Sequence, residues 1–437
     1  MAAPSPALKF RLLPAYTDQI PGNAAVYYGK IKAEEDSFFG NHELRDKIGG
    51  RYDISWQTMP LEQLRREDIK PEPSAWPVYF LEEGAKCRYC DWQLAIGRVP
   101  FYKIRLPEAQ EGRQFMRLLA VKARWEVSMG RCDDAIQTFR TNYAFSRNVA
   151  QGETLVNGLV GIAGCGIMYP QVVEYVQQPN AQNLYWALTD LPQPMIDFRR
   201  ALEVEARALE LSFPEISDAA NEKRTPEEWR ELFDRFANEV LTWNRTGDAR
   251  SPKTPEELDQ LCSDFAPTAR KTLIADGAPA DKINAMPVQQ LALVYSLRTY
   301  HLLFDDAARC FFLPYPTASR SIEAVVERYK HPSDVLREII PITENSLRAI
   351  DSCRGALARN ERQFAVLRVF EALRIHAASH DGKLPEHLAD ITEVPIPDDP
   401  VTGKPFIYRL DSEKAFLEGP TIHDVPLSYE ITMSASK

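Results

Sequence analysis

Cys87-Arg-Tyr-Cys90 is the one pair of cysteines close together in the chain. A redox dithiol of this spacing belongs at a helix N-terminus after a strand, where the helix dipole lowers the thiol pKa. Here the pair ends a predicted helix, and that end of a helix raises it. A zinc site needs four ligands, and no second C-x₂-C or H-x₃₋₅-H follows at suitable spacing. His376 and His380 are four apart, the spacing that sets two zinc-ligating imidazoles on one helix face, with His387 close by in sequence. The segment reads "HAASH", so the Glu of a metalloprotease H-E-x-x-H is missing. His380 and His387 also fall where turn and capping residues are expected.

Asp398-Asp399 precedes Pro-Val-Thr-Gly. Carboxylates in a tight turn can hold calcium, but calcium takes ~6–8 oxygen ligands and only two are identifiable here. Turn chemistry is the stronger reading: the Asp side chains bond local N–H groups, Pro fixes φ and Gly403 supplies positive φ. His301 and Asp305, one turn apart on an apolar helix, have the types of an acid/base couple. A structural hydrogen bond is the default for such a buried pair. Gly158, Gly161, Gly164 and Gly166 punctuate "NGLVGIAGCGIMYP". A dinucleotide fingerprint would need a strand before them, and a helix stands there. Close helix–helix approach is what these glycines predict. The stretch "QNLYWALTDLPQP" gathers Leu184, Tyr185, Trp186 and Leu188, either as core or, if exposed, as partner anchors. Nucleophile elbows, phosphate loops and kinase signatures are all missing.

The elements that must position these groups are mostly helical. The chain has 437 residues, 44% apolar and 26% charged, with net charge −10. That balance fits a globular protein and argues against a nucleic-acid partner, which needs a basic face. The longest apolar run, "LVNGLVGIAGCGIMY", falls short of the ~18 residues of a membrane span. The N-terminus lacks a basic start followed by an apolar core, so no signal peptide is visible, though "AAPSPALKF" also suits a mature exported chain. The seven cysteines are no dense disulfide framework and read as buried thiols. Export would instead favour a disulfide at Cys87 and Cys90, either local or long-range.

The first 20 residues read as extended, and Asn23 caps a helix carrying Tyr27, Tyr28 and Ile31. Helices are expected at 61–69 and 75–87, then an extended connector through "RVPFYKIRLP". From Pro107, Phe115, Leu118, Leu119 and Trp125 form a helical stripe that Gly130 stops. Ala135, Ile136, Phe139 and Tyr143 form the next. Two amphipathic helices so closely joined must fold into a hairpin. Ala123, Gly130 and Ala135 resemble a single tetratricopeptide-type repeat, but no second copy follows at 34 residues. Further helices are expected at 153–178, 182–190, 195–212, 226–245, 254–275, 287–313, 317–330, 332–340 and 343–379. Those after Thr225 and Thr254 both open Thr-Pro-Glu-Glu, with Thr as N-cap. "LPEHLADI" reads as a short helix, and "PFIYRL", "KAFLEG" and "PLSYEITM" as three antiparallel strands. The predicted fold is mainly α: an irregular helical array with one tetratricopeptide-like hairpin, plus a small C-terminal α+β module. The blocks are 1–106, 107–342 and 343–437.

His380, Gly382, Pro385 and Leu388, followed by Pro397, Asp399, Pro400, Gly403, Pro405 and Tyr408, resemble the head of the type II secretion major pseudopilins. The resemblance covers about the last fifth of the chain. The N-terminal apolar helix of a pilin is missing, so assembly as a pilin is not implied. The later loop on which the pseudopilin calcium site depends is not found either. Over nearly its whole length the chain resembles an uncharacterised family of planctomycete-type bacterial proteins, through "LKFRLLP", "PGNAAVYY", "KARWEVSMGRCDDAIQTFRTNYAFSR", "LVNGLVGIA", "QQPNAQNLYWALTDLP" and "DGKLPEHLADI". That resemblance implies a helical, exported protein and no particular activity.

The function expected is a non-catalytic helical scaffold or protein-binding module, set in the cell envelope if a leader was removed and cytoplasmic otherwise. The alternative is a hydrolase-type enzyme with its site in the concavity of the helical array. No catalytic, cofactor-binding or metal residue is assigned, and no cofactor. The expected partner is another protein, with oligomeric state open. A deep pocket with two or more convergent groups of shifted pKa would favour the enzyme. A shallow groove lined by aromatics would favour the binder.

Overall fold

The computed structural model describes residues 3–39, 59–66, 75–243, 254–329, 342–422 and 425–433. In chain order the elements are β1 (Ile20–Asn23), α1 (Ala24–Phe39), α2 (Leu61–Arg66), α3 (Ala75–Ala85), β2 (Cys87–Tyr89), α4 (Pro107–Ser128), α5 (Cys132–Ala150), α6 (Leu155–Val176), α7 (Tyr185–Thr189), α8 (Arg199–Glu205), α9 (Ala208–Ser212), α10 (Pro226–Trp243), α11 (Pro255–Ala275), α12 (Ala280–Ala285), α13 (Val288–Ala308), α14 (Tyr315–Tyr329), α15 (Ile342–Ser379), β3 (Ile407–Asp411), β4 (Lys414–Ile422) and β5 (Val425–Thr432). The protein is mainly helical with a small C-terminal three-stranded antiparallel sheet. The helix expected at 332–340 lies outside the described residues.

The chain divides into two compact units: Met1–Leu94, Leu106–Ala201 and Gly355–Lys437 form the first, Ala95–Arg105 and Leu202–Arg354 the second. The units therefore do not follow the three consecutive blocks read from the sequence. Long-range bonds explain why the C-terminal residues join the first unit. Asn183 Nδ2 donates to Glu371 Oε2 at 2.8 Å, and Arg374 Nη2 donates to the Ala181 carbonyl at 2.7 Å.

In the first unit, α4 and α5 make the expected hairpin, and α6 packs on both. Gly130, at φ +71°, lets the Arg131 N–H reach the Glu126 carbonyl at 2.8 Å, a helix stop open to glycine at little cost. Arg124 of α4 grips Glu174 of α6 through two bonds of 2.6 and 2.9 Å. Gly158, Gly161 and Gly164 are where α6 meets its neighbours. A Cβ on Gly161 would stand 2.7 Å from the Ser146 carbonyl oxygen, and one on Gly164 2.3 Å from Ser146 Oγ. Gly166 faces open space. Among the described residues α6 is long and apolar enough to cross a membrane, yet it is mostly buried as a core helix.

From residue 355 onward, α15 buries Leu357, Val366, Leu367, Val369, Ala372 and Leu373, faces too widely spread for a surface helix. It ends where Gly382 takes φ +78° and its N–H reaches the Ala377 carbonyl at 2.8 Å. The sheet runs β3-β4-β5 with Tyr408 opposite Leu417 and Leu417 opposite Tyr429. Ala415 and Leu417 are buried, Phe416 between them is half-buried, and Lys414 and Glu418 on either side are exposed, the alternation of a one-sided sheet. Tyr429 stacks edge-on against Phe370 of α15 at 5.2 Å.

Three local expectations change. Cys87 opens β2 rather than ending a helix, because the Ile20 N–H bonds the Lys86 carbonyl and starts a parallel pairing with β1. The span 195–212 holds two short helices, α8 and α9, parted by turn bonds at Ala206 and Arg207. "LPEHLADI" forms only a 3-10 turn at Leu388–Asp390, capped by His387.

The second unit packs α10 and α11 on α13. Trp229, Phe233 and Phe236 of α10 and Leu291, Leu293 and Phe304 of α13 are all fully buried. Thr225 and Thr254 cap as expected, accepting from the N–H of Glu228 and Glu257, each at 3.2 Å. Glu228 returns a bond to the Thr225 N–H at 2.7 Å, completing a capping box.

Candidate functional site

The first unit carries an open groove of about 330 Å³ where the start of α1, the segment after β2, and α4 come together. Asn23 builds one wall. Its Oδ1 accepts from the N–H groups of Ala25 and Asp91 at 3.1 and 2.8 Å, and its Nδ2 donates to the Asp91 carbonyl at 2.7 Å. One side chain thus caps α1 and pins the following loop to it. The loop sets Trp92, whose indole N–H donates to the Asn148 carbonyl at 2.8 Å. The floor is a chain of rings: Trp92 stacks on Tyr28 at 5.7 Å, Tyr28 meets Phe145 edge-on at 4.7 Å, and Phe145 meets Phe115 at 6.3 Å. Gly84 makes room for Tyr28, since a Cβ there would lie 2.3 Å from its ring. Burial holds the Tyr28 phenol neutral, its pKa pushed well up. Val26 stands at the rim, 57% exposed. Among the described residues, the charged ones lining the groove are Asp91, Glu108 and Glu111.

A second cleft, about 340 Å³, brings Glu82 beside Lys122 and Glu126. Lys122 Nζ donates to Glu126 Oε1 at 2.5 Å and to Thr138 Oγ1 at 2.8 Å, and Thr138 donates to Glu126 Oε2 at 2.7 Å. Burial raises the Glu82 carboxyl above its ordinary value against the pull of Lys122 and Lys86.

At the end of α15 the imidazoles of His376 and His380 lie face to face, 3.8 Å apart and 15° from parallel. Glu393, after the Gly382 turn, brings Oε1 within 3.4 Å of His376 Nδ1 and 3.5 Å of His380 Nδ1. Ser379 Oγ donates to that same oxygen at 2.7 Å. Burial works to raise Glu393, but the Ser379 hydroxyl, a backbone N–H and His376 outweigh it, and the carboxyl is held at about 2. His387 stands apart from the pair as the cap of the 3-10 turn.

The remaining sequence candidates are engaged in structure. Cys87 and Cys90 are buried free thiols, both raised by burial, so neither is a ready thiolate, and the disulfide expected on export is not formed. All seven cysteines are free and buried. Asp399 receives Arg362 through two bonds of 2.9 and 2.8 Å and also accepts from the Val401 N–H at 2.9 Å. Its carboxylate is occupied by an arginine and its own turn, which closes at Gly403 with φ +64°. His301 and Asp305 do not pair. His301 is exposed and bonds Glu210 at 2.6 Å, while the Asp305 side chain is 76% exposed. Leu184, Tyr185 and Leu188 are fully buried, and Tyr185 donates to the Pro395 carbonyl, so this cluster is core.

Sequence reasoning missed Trp92, Val26, Glu108 and Glu111, whose types are unremarkable until the fold gathers them. It also missed Glu82 and Glu126, and it missed Glu393, for which the helix stop at Gly382 was the one available hint of a chain reversal. Compared with known proteins, the chain matches no family model, no curated protein and no solved structure.

Proposed function

We propose that this chain is a helical binding module whose aromatic groove takes a short segment of another protein, one with an apolar side chain next to a lysine or arginine. The observation that carries it is the make-up of the groove: a ring floor from Tyr28, Trp92, Phe115 and Phe145, with carboxylates as the charged lining among the described residues. Trp92 and Phe115 are half-buried at the groove, with Tyr28 and Phe145 buried beneath them, and aromatic side chains in such a setting anchor partners at interfaces. Cations sit favourably over such ring faces and against carboxylates. About 330 Å³ lies at the low end for whole ligands, which suits one or two side chains of a longer partner. A hydrolase reading would call for convergent groups of shifted pKa. In the Glu82 cleft, Lys122, Glu126 and Thr138 are taken up by bonds to one another.

The test is selection from a random peptide display library, followed by titration of the recovered peptides. Enriched peptides should pair Lys or Arg with an aliphatic or aromatic residue. Their affinity should fall with added salt, as exposed charge contacts do. Val26→Lys and Glu111→Lys should each weaken binding by about tenfold or more, since removing an anchor or reversing a charge costs about 1.4 kcal/mol or more. Peptides of no common charge, or affinity unchanged in both variants, would refute the assignment.

A further inference from the structure

We propose that His376, His380 and Glu393 form a binding site for one divalent cation of the zinc class. The three side chains come from two segments joined by the turn at Gly382, and each offers a ligand atom within 4.8 Å of the others. Two imidazoles and a carboxylate make a common three-residue zinc set, with the fourth position left to water or a ligand. The spacing i, i+4 sets both rings on the same helix face, stacked 15° from parallel, and holding one ion requires the two rings to splay apart.

Three features mark this as more than neighbouring polar residues. His376 is 94% buried by its 6% exposure, yet its Nδ1 has no hydrogen-bond partner. That nitrogen looks toward Glu393 Oε1 across 3.4 Å, longer than a good hydrogen bond. A buried polar atom without a partner costs free energy, and a cation between the two would satisfy both.

His380 already has the outer bond that metal-ligating histidines carry. Its Nδ1 lies 2.9 Å from the His376 carbonyl oxygen and 3.2 Å from Ser379 Oγ, contacts that hold the ring in place beside Glu393. Ser379 Oγ bonds the Glu393 carboxylate at 2.7 Å and orients it in the same way.

A bound cation would sit at the carbonyl end of α15, where the helix dipole favours positive charge. The half-exposed ring of His380 leaves the site open to solvent for entry.

The site stands independently of the groove reading. The experiment uses the full chain, stripped with a chelator and titrated with Co²⁺ and then Zn²⁺. One equivalent of Co²⁺ should give visible d–d absorption, and Zn²⁺ should displace it. His380→Asn and Glu393→Gln alter exposed side chains and should keep the native circular dichroism while weakening Zn²⁺ binding by about tenfold or more. His387→Asn should bind as the unaltered chain does. No d–d absorption from folded protein would overturn the proposal. So would unchanged affinity in His380→Asn or Glu393→Gln, or loss of the site in His387→Asn.

Discussion

Arg362 and Asp399 meet inside the first unit with side chains 5% and 2% exposed. The guanidinium also donates to the Pro420 carbonyl at 2.7 Å, so one side chain ties α15, the turn at 399–403 and the end of β4 together. Stranding either charge in such a place should cost about 3–5 kcal/mol. Arg362→Met should therefore lower the urea midpoint strongly, and the double variant Arg362→Met/Asp399→Asn should regain part of the loss. A single-variant cost below about 1 kcal/mol, typical of surface pairs, would mean the pair is solvated in solution. The sequence did expose some residue-scale facts. "HAASH" told of two imidazoles on one face, and "DDPVTG" told of a turn. Neither could tell that Arg362, 37 positions upstream, would claim Asp399, or that Glu393 would close on the histidines. Those partners depend on where a turn aims the chain, which local residue types do not encode.

Helix α6 makes the case at the scale of an element. Its four glycines read together in sequence as a close-approach stripe, but the structure splits them. At Gly161 a methyl group would collide with the Ser146 carbonyl and Ala150, both on α5 and neither able to swing aside. Gly161→Ala should cost about 1–3 kcal/mol from overpacking. Gly166 meets nothing within 4 Å, so Gly166→Ala should gain up to about 1 kcal/mol from helix propensity alone. Thermal melts of the two variants should move in opposite directions, and a shared direction would contradict the α5–α6 packing described. Helices and strands were the most legible layer, because the stripes of α4 and α5, the two Thr-Pro-Glu-Glu starts and the alternation in β4 are local signals. What failed were short elements: β2, drawn out by the distant Ile20, and the break between α8 and α9, made by local turn bonds at Ala206 and Arg207.

For the whole molecule, each unit has its own buried core, and local stability should follow the units. Phe233 is fully buried in the second unit, and Phe233→Ala should cost about 3–5 kcal/mol there. Hydrogen exchange should quicken in α10, α11 and α13 while α4–α6 keep their protection. Equal quickening in both sets would mean that the chain opens as one body. The split itself was not legible, because helical periodicity shows which face is buried and not which neighbour buries it. The first unit takes residues from both sides of the second in the chain order. During synthesis, therefore, the ribosome delivers α4–α6 well before the α15 and β3–β5 residues that cover them. The second unit has all its residues sooner and can close first, while the earlier-made helices wait with oily sides uncovered. A chain cut after residue 354 should therefore leave α4–α6 with oily sides uncovered and aggregate more readily than the full chain.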